Sequence, residues 1–138
     1  QAIRAEPLTA LLALDHPLAD APKIDLPMLA EHPLILFESG FALNKIILDA
    51  CRRHGFRPNI AARSGQIDFI VELAAAGLGI AFLPRMIAEQ RRHAAVRLVP
   101  LDDPEAQWHM ALIWRRGGYL SHAARAWLAL TREVHGHG

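Results

Sequence analysis

Between residues 34 and 83 the chain alternates between short runs that are apolar on every side and longer stretches that are apolar on one side only. Leu34-Ile35-Leu36-Phe37 is such a continuous run, the pattern of a strand covered on both faces by helices. Beyond Glu38-Ser39-Gly40, the residues Leu43, Ile46, Ile47, Ala50 and Cys51 recur at helical spacing. They predict a helix over about 41–54 with those five side chains inside. Arg52, Arg53 and His54 fall in its last turn, against the negative end of the helix dipole. Gly55 follows, where a left-handed backbone usually ends a helix. A strand at 59–63, a helix at about 66–76 and the strand Ile80-Ala81-Phe82-Leu83 complete the series. The stripe of the second helix is Ile67, Ile70, Val71, Ala74 and Ala75. Two consecutive strand–helix–strand units of this length predict a parallel sheet with right-handed crossovers.

That order says where to look for function. In open α/β sheets, ligands bind beyond the carboxyl ends of the strands, beside helix N-termini. Here those places are Glu38, Ser39, Gly40 and Phe41 after one strand, and Ser64, Gly65 and Gln66 after the next. Free backbone N–H groups at a helix start favour an anion such as a carboxylate. Ser39 or Gly40 is expected to cap the first helix, and Ser64 or Gly65 the second. Glu38 would repel an anionic ligand unless it points away or pairs with a cation, for which Arg63 and Arg85 are the candidates. Phe69, one turn into the second helix, is expected in the core.

On either side the pattern changes. Leu8-Thr9-Ala10-Leu11-Leu12-Ala13-Leu14 reads as a buried strand closed by the turn Asp15-His16-Pro17. Asp25 opens a short helical turn within 24–30, and His32-Pro33 breaks the chain. Pro84 stands where a further helix would begin. Residues 96–101 read as an edge strand. Trp108, Met110, Leu112 and Trp114 alternate with His109, Ala111 and Ile113, as in a further strand. Arg115-Arg116-Gly117-Gly118 reads as a turn. A last helix is expected at 119–135, with Ser121 near its start and Trp127 and Leu128 on its stripe.

Composition narrows the class. In 138 residues, 52% are hydrophobic and 21% charged, and 15 basic side chains face 14 acidic ones. This is a globular balance, without the clustered cationic excess of a dedicated nucleic-acid surface. One cysteine, Cys51, excludes a disulfide framework within the chain and fits a reducing compartment. On the apolar side of its helix, it reads as a small hydrophobe and not as a redox sensor. Residues 1–14 lack the layout of a secretion signal, and no apolar run is long enough to span a bilayer. The expectation is therefore a soluble cytoplasmic protein. The start without Met, almost directly in a strand, reads as a fragment.

The eight histidines show no metal-ligand spacing on one face. Asp68 and Glu72 read as a solvated acidic face. No nucleophile elbow, P-loop or dinucleotide fingerprint occurs. The expectation is a protein with no catalytic residues, no metal and no cofactor.

Three phrases carry a family resemblance. Glu6-Pro7-Leu8 leading to Asp15-His16-Pro17-Leu18-Ala19 is the first. The second is Gln66-Ile67-Asp68-Phe69-Ile70-Val71-Glu72-Leu73-Ala74-Ala75-Ala76-Gly77-Leu78-Gly79-Ile80-Ala81-Phe82-Leu83-Pro84. The third is Trp114-Arg115-Arg116 with Ser121 ahead of an Ala-rich helix. In this order they resemble the C-terminal effector-binding domain of LysR-type transcriptional regulators. The resemblance implies a fold like the type 2 periplasmic binding proteins, with two α/β subdomains joined by crossing strands. Residues 8–14 and 107–114 would be the crossing strands, and 34–101 the second subdomain. The helix at 119–135 would pack back on the first. It further implies a small-molecule effector, a carboxylate among the options, held in the cleft by Glu38, Ser39, Gly40, Phe41, Ser64, Gly65 and Gln66. The implied partners are a second copy, as dimer or tetramer, and promoter DNA reached only through a winged helix-turn-helix that these residues lack. Half of a solute-binding protein, or of an enzyme on the same two-lobed fold, is the alternative.

Overall fold

The computed structural model describes residues 2–112. The expected turn at 115–118, the last helix and the residues Trp114, Ser121, Trp127 and Leu128 lie outside them.

The first strand, β1 (Ala2–Ala13), organises the rest. Its first half pairs antiparallel with β6 (Gln107–Leu112), from Ala2 opposite Leu112 to Pro7 opposite Gln107. Its second half lies between β4 (Ala81–Pro84) and β5 (Val96–Pro100), antiparallel to both. A strand with neighbours on both edges and helices above and below buries both sets of alternate side chains. Leu11 and Leu12, which point to opposite faces, are both fully buried. Burial of this kind contributes roughly 1.5–3 kcal/mol for each large apolar side chain.

A second, parallel pair is formed by β2 (Pro33–Phe37) and β3 (Asn59–Ser64), with α1 (Ala42–Arg53) between them in sequence. Its link to the first sheet is narrow. Ile35 N–H donates to the Ile80 carbonyl at 2.8 Å, and Ile80 N–H donates to the Pro33 carbonyl at 3.0 Å. This single parallel bridge sits just ahead of β4. The parallel expectation thus holds for β2 with β3 and, through one bridge, for the 80–83 segment. The main partner of that segment is nevertheless the antiparallel β1.

On α1, Leu43, Ile47, Ala50 and Cys51 are buried as the helical spacing predicts, whereas Ile46 is only half-buried. Asn44 is inside instead, 5% exposed. On α2 (Ile67–Ala75), Ile67, Ile70, Val71 and Ala74 form the buried stripe, and Ala75 lies at its margin. Phe69 is not in the core: it is 52% exposed, on the side of α2 turned away from the sheet. Gly77, at φ +84°, takes the chain out of α2 in a conformation that other residues adopt at a cost. A short α3 (Arg85–Gln90) starts directly after Pro84, which ends β4 and serves as the residue before the helix. Leu26–Glu31 forms a 3-10 turn with Pro27 near its start. Among the described residues no helix is long and apolar enough to cross a membrane.

Candidate functional site

Phe37 and Ser64 are the last residues of β2 and β3 and lie opposite each other in the parallel pair. Parallel neighbours end at the same edge of a sheet, so the loops that follow them emerge side by side. The Glu38 N–H donates to the Ser64 carbonyl at 3.2 Å, extending the pairing by one residue into those loops. The structure therefore brings the seven residues singled out above into one cluster.

The first loop is a tight turn in which Phe41 N–H donates to the Glu38 carbonyl at 3.0 Å. Phe41 itself precedes α1, with extended backbone and no side-chain cap bond. Ser39 and Gly40 do not cap the helix, contrary to the sequence expectation. The turn places them two and one residues too early, respectively, and Ser39 faces solvent. The second loop is different. Ser64, 9% exposed, accepts the Gln66 N–H on its Oγ at 3.1 Å. That bond closes a small turn but is not a cap on α2, whose preceding residue is Gln66. Gln66 is exposed, and its carbonyl accepts the Ile70 N–H to start the helix.

Gly65 makes the close approach of the two loops possible. A side-chain carbon placed there would lie 3.1 Å from Glu38 Oε1 and 3.5 Å from the Phe41 ring. The Glu38 carboxylate and the Phe41 ring thus lean over the glycine, and the Phe37 and Phe41 rings sit 5.2 Å apart. Glu38 has no cation partner among the described residues, so the pairing expected with Arg63 or Arg85 is not made. Arg63 donates instead to the Phe37 carbonyl at 3.1 Å and to Asn44 Oδ1 at 2.6 Å. Arg85 faces Glu6 at 3.8 Å. Sequence reasoning gave Arg63 and Asn44 no place of their own in this cluster. The available signal was a polar residue in the first turn of an otherwise apolar helix face.

Ser64 Oγ is occupied by a backbone N–H, and neither Ser39 nor Ser64 has a histidine partner among the described residues. Among those residues no group of three or more His, Cys, Asp or Glu is arranged to hold a metal ion. The Cys51 thiol lies inside α1's buried face, and burial pushes its pKa up to about 11.

A parallel strand pair ending in two facing loops, bridged to a sheet built on one long antiparallel strand, is an α/β arrangement of the type 2 periplasmic-binding-protein kind. The chain belongs to the family of the LysR substrate binding domain, whose model matches residues 1–136. Over 128 residues it is 42% identical to the HTH-type transcriptional regulator YwbI of Bacillus subtilis (strain 168), covering 93% of this chain and 42% of that protein. The fold is similar to that of the BenM effector binding domain with its effector benzoate, with a TM-score of 0.67 and 22% identity. That match covers 98% of this chain and 64% of the other. The effector binding domain of QuiR in complex with shikimate gives a TM-score of 0.66 at 23% identity, over 98% of this chain and 66% of that one. The chain spans less than half the length of the curated relative.

Proposed function

We propose that this chain is the greater part of the effector-sensing domain of a LysR-type transcriptional regulator, working in the cytoplasm. The observation that carries this reading is the convergence of residues 38–41 and 64–66 at one sheet edge, with Gly65 leaving room between them. Benzoate and shikimate, held by two proteins of the same fold, support a small organic molecule as the ligand. In this reading the residues 8–14 and 107–114 cross between two subdomains, and 34–101 supply one wall of the cleft. An effector bound more tightly to one arrangement of the two walls shifts the equilibrium toward it. The shift repositions DNA-binding domains carried elsewhere in a self-associated regulator. Catalysis is no part of the proposal, because the cluster pairs no nucleophile with a base.

The test uses the intact regulator with its effector. Ser39→Ala and Gln66→Ala are expected to weaken the effector-dependent change in operator binding, each by about 1 kcal/mol per lost hydrogen bond, with unchanged thermal unfolding. Wild-type effector affinity in both variants would remove the site.

A further inference from the structure

Among the described residues, Arg52, Arg53, Arg85, Arg91 and Arg97 each face a carboxylate. Arg57 and Arg92 are exposed and have no ion pair there. Arg63 is also exposed and without an ion pair there, but unlike those two its guanidinium is anchored. Its Nη1 donates to the Phe37 carbonyl at 3.1 Å and to Asn44 Oδ1 at 2.6 Å. Both acceptors are neutral. No described carboxylate lies within ion-pair reach, although Glu38 stands in the adjoining loop. The guanidinium is therefore held in place while its charge stays uncompensated, at the common end of β2 and β3.

A guanidinium offers five N–H donors in a planar fork. Here the two bonds use one nitrogen, and no described residue accepts from Nε or Nη2. The edge left over is the one that matches the two oxygens of a carboxylate. Asn44 adds an independent sign. It is 5% exposed, yet its amide nitrogen donates to no described residue. A buried donor with no acceptor among the described residues is unfavourable there, and it lies in the first turn of α1, where an anion is also favoured by the dipole. Glu38, whose carboxylate leans over Gly65 in the adjoining loop, does not occupy the arginine with an ion pair.

We propose that Arg63, locked by Asn44 and the Phe37 carbonyl, receives the carboxylate of the effector. The proposal deepens the sensor reading and rests on the 38–41 and 64–66 loops being the effector site. It makes the ligand class a carboxylic acid and Arg63 the residue that selects it over the corresponding amide.

Acetate is the probe, followed through the arginine Nε–H signals of the chain by NMR. The Arg63 signal is expected to move saturably with acetate, while those of Arg57 and Arg92 drift weakly and linearly. Acetamide should leave Arg63 in place. Asn44→Asp sets a negative charge where Oδ1 already accepts from Arg63, preserving its position but neutralising it. Acetate affinity should then fall by about tenfold or more, with the Arg63 signal still dispersed as in a folded chain. An Arg63 signal that tracks Arg57 and Arg92, or an Asn44→Asp variant that binds acetate normally, overturns the assignment. The two readings separate cleanly. If Arg63 ignores acetate but the regulator still loses its response on Ser39→Ala and Gln66→Ala, the arginine assignment falls and the sensor reading stands. If Arg63 binds acetate while those variants respond as wild type, the sensor site is lost and the anion site remains.

Discussion

Glu6 accepts a hydrogen bond from the Met86 backbone N–H at 2.9 Å, tying the early part of β1 to the first turn of α3 across eighty positions of sequence. The carboxylate is almost fully buried, and Arg85 Nε approaches it at 3.8 Å. Replacing it with alanine leaves the partly buried Met86 N–H without its acceptor. Glu6→Ala is therefore expected to cost about 1–3 kcal/mol, and Glu6→Gln, which keeps an acceptor, distinctly less. Urea unfolding of both variants measures the difference. Equal midpoints would mean that packing, not this bond, holds the corner.

Gly79 lies against the bridge that joins the two sheets. A side-chain carbon there would fall 2.7 Å from the Pro33 carbonyl oxygen and 3.0 Å from its carbon. Both are backbone atoms, which give way less easily than the end of a side chain. Gly79→Ala should destabilise the chain by about 1–3 kcal/mol. Gly55, at φ +79° with open space around it, needs only its backbone conformation, and Gly55→Ala should cost about 1 kcal/mol. A larger loss at Gly55 than at Gly79 in thermal unfolding would contradict this view of the bridge.

Local pattern foretold local structure well here. The apolar run at 34–37, the stripes of α1 and α2 and the chain reversal at Gly77 all lie where periodicity and glycine put them. Partner choice was a different matter. Nothing in Leu8-Thr9-Ala10-Leu11 tells that its neighbours are 81–84 and 96–100, because pairing is decided by long-range packing and not by the segment itself. The candidate loops were legible from the strand–helix order alone. The details inside them were not. Capping depends on one or two dihedral angles, so Ser39 and Gly40 lost that role to an extended Phe41. Phe69 followed hydrophobicity into the expected core but sits on the outer side of α2, a matter of helix rotation by part of a turn. Arg63 was weighed only as a partner for Glu38, since a sequence shows charges and not which carbonyl lies within reach.

Cys51 offers a chemical test of burial. With its pKa raised to about 11 by desolvation, only about one thiol in a thousand is ionised near pH 8, and the thiolate is the reactive form. The native chain should react with an aromatic disulfide reagent far more slowly than the urea-unfolded chain. Cys51→Ser should also be less stable than Cys51→Ala, because a buried hydroxyl without a partner costs about 1–3 kcal/mol. Rapid labelling under native conditions would show that α1 opens readily.

His16 predicts a pH dependence. Burial holds its pKa below the ordinary 6.5, the neighbouring His32 ring adds to the depression, and Asp15 partly opposes it. The two imidazoles are 4.9 Å apart, and His16 Nδ1 accepts the Leu18 N–H at 3.0 Å, which requires that nitrogen to be unprotonated. Above pH 6.5 both folded and unfolded states are neutral at His16, and its contribution is fully present. As pH falls below that value the unfolded state takes up the proton first, so stability declines until the folded-state pKa is passed. The urea midpoint should drop between pH 7.5 and pH 5.5, and His16→Asn, which keeps an acceptor but does not titrate, should flatten that drop. An unaltered slope in the variant would assign the pH dependence to other groups.

The partner exchange along β1 has a mechanical consequence. One unbroken strand serves β6 with its first half and β4 and β5 with its second, so no flexible loop separates the two regions along this strand. At the changeover Pro7 stands opposite Gln107, Leu8 opposite Pro84 and Thr9 opposite Pro100. Three strands thus each present a proline, which brings no N–H to the ladder. On the β5 side this removes no rung, because Leu8 accepts from the Leu101 N–H at 3.1 Å, one position from the Thr9–Pro100 pair. A twist imposed at one end of β1 is therefore carried to the other through continuous paired backbone, as along a shaft and not across a hinge.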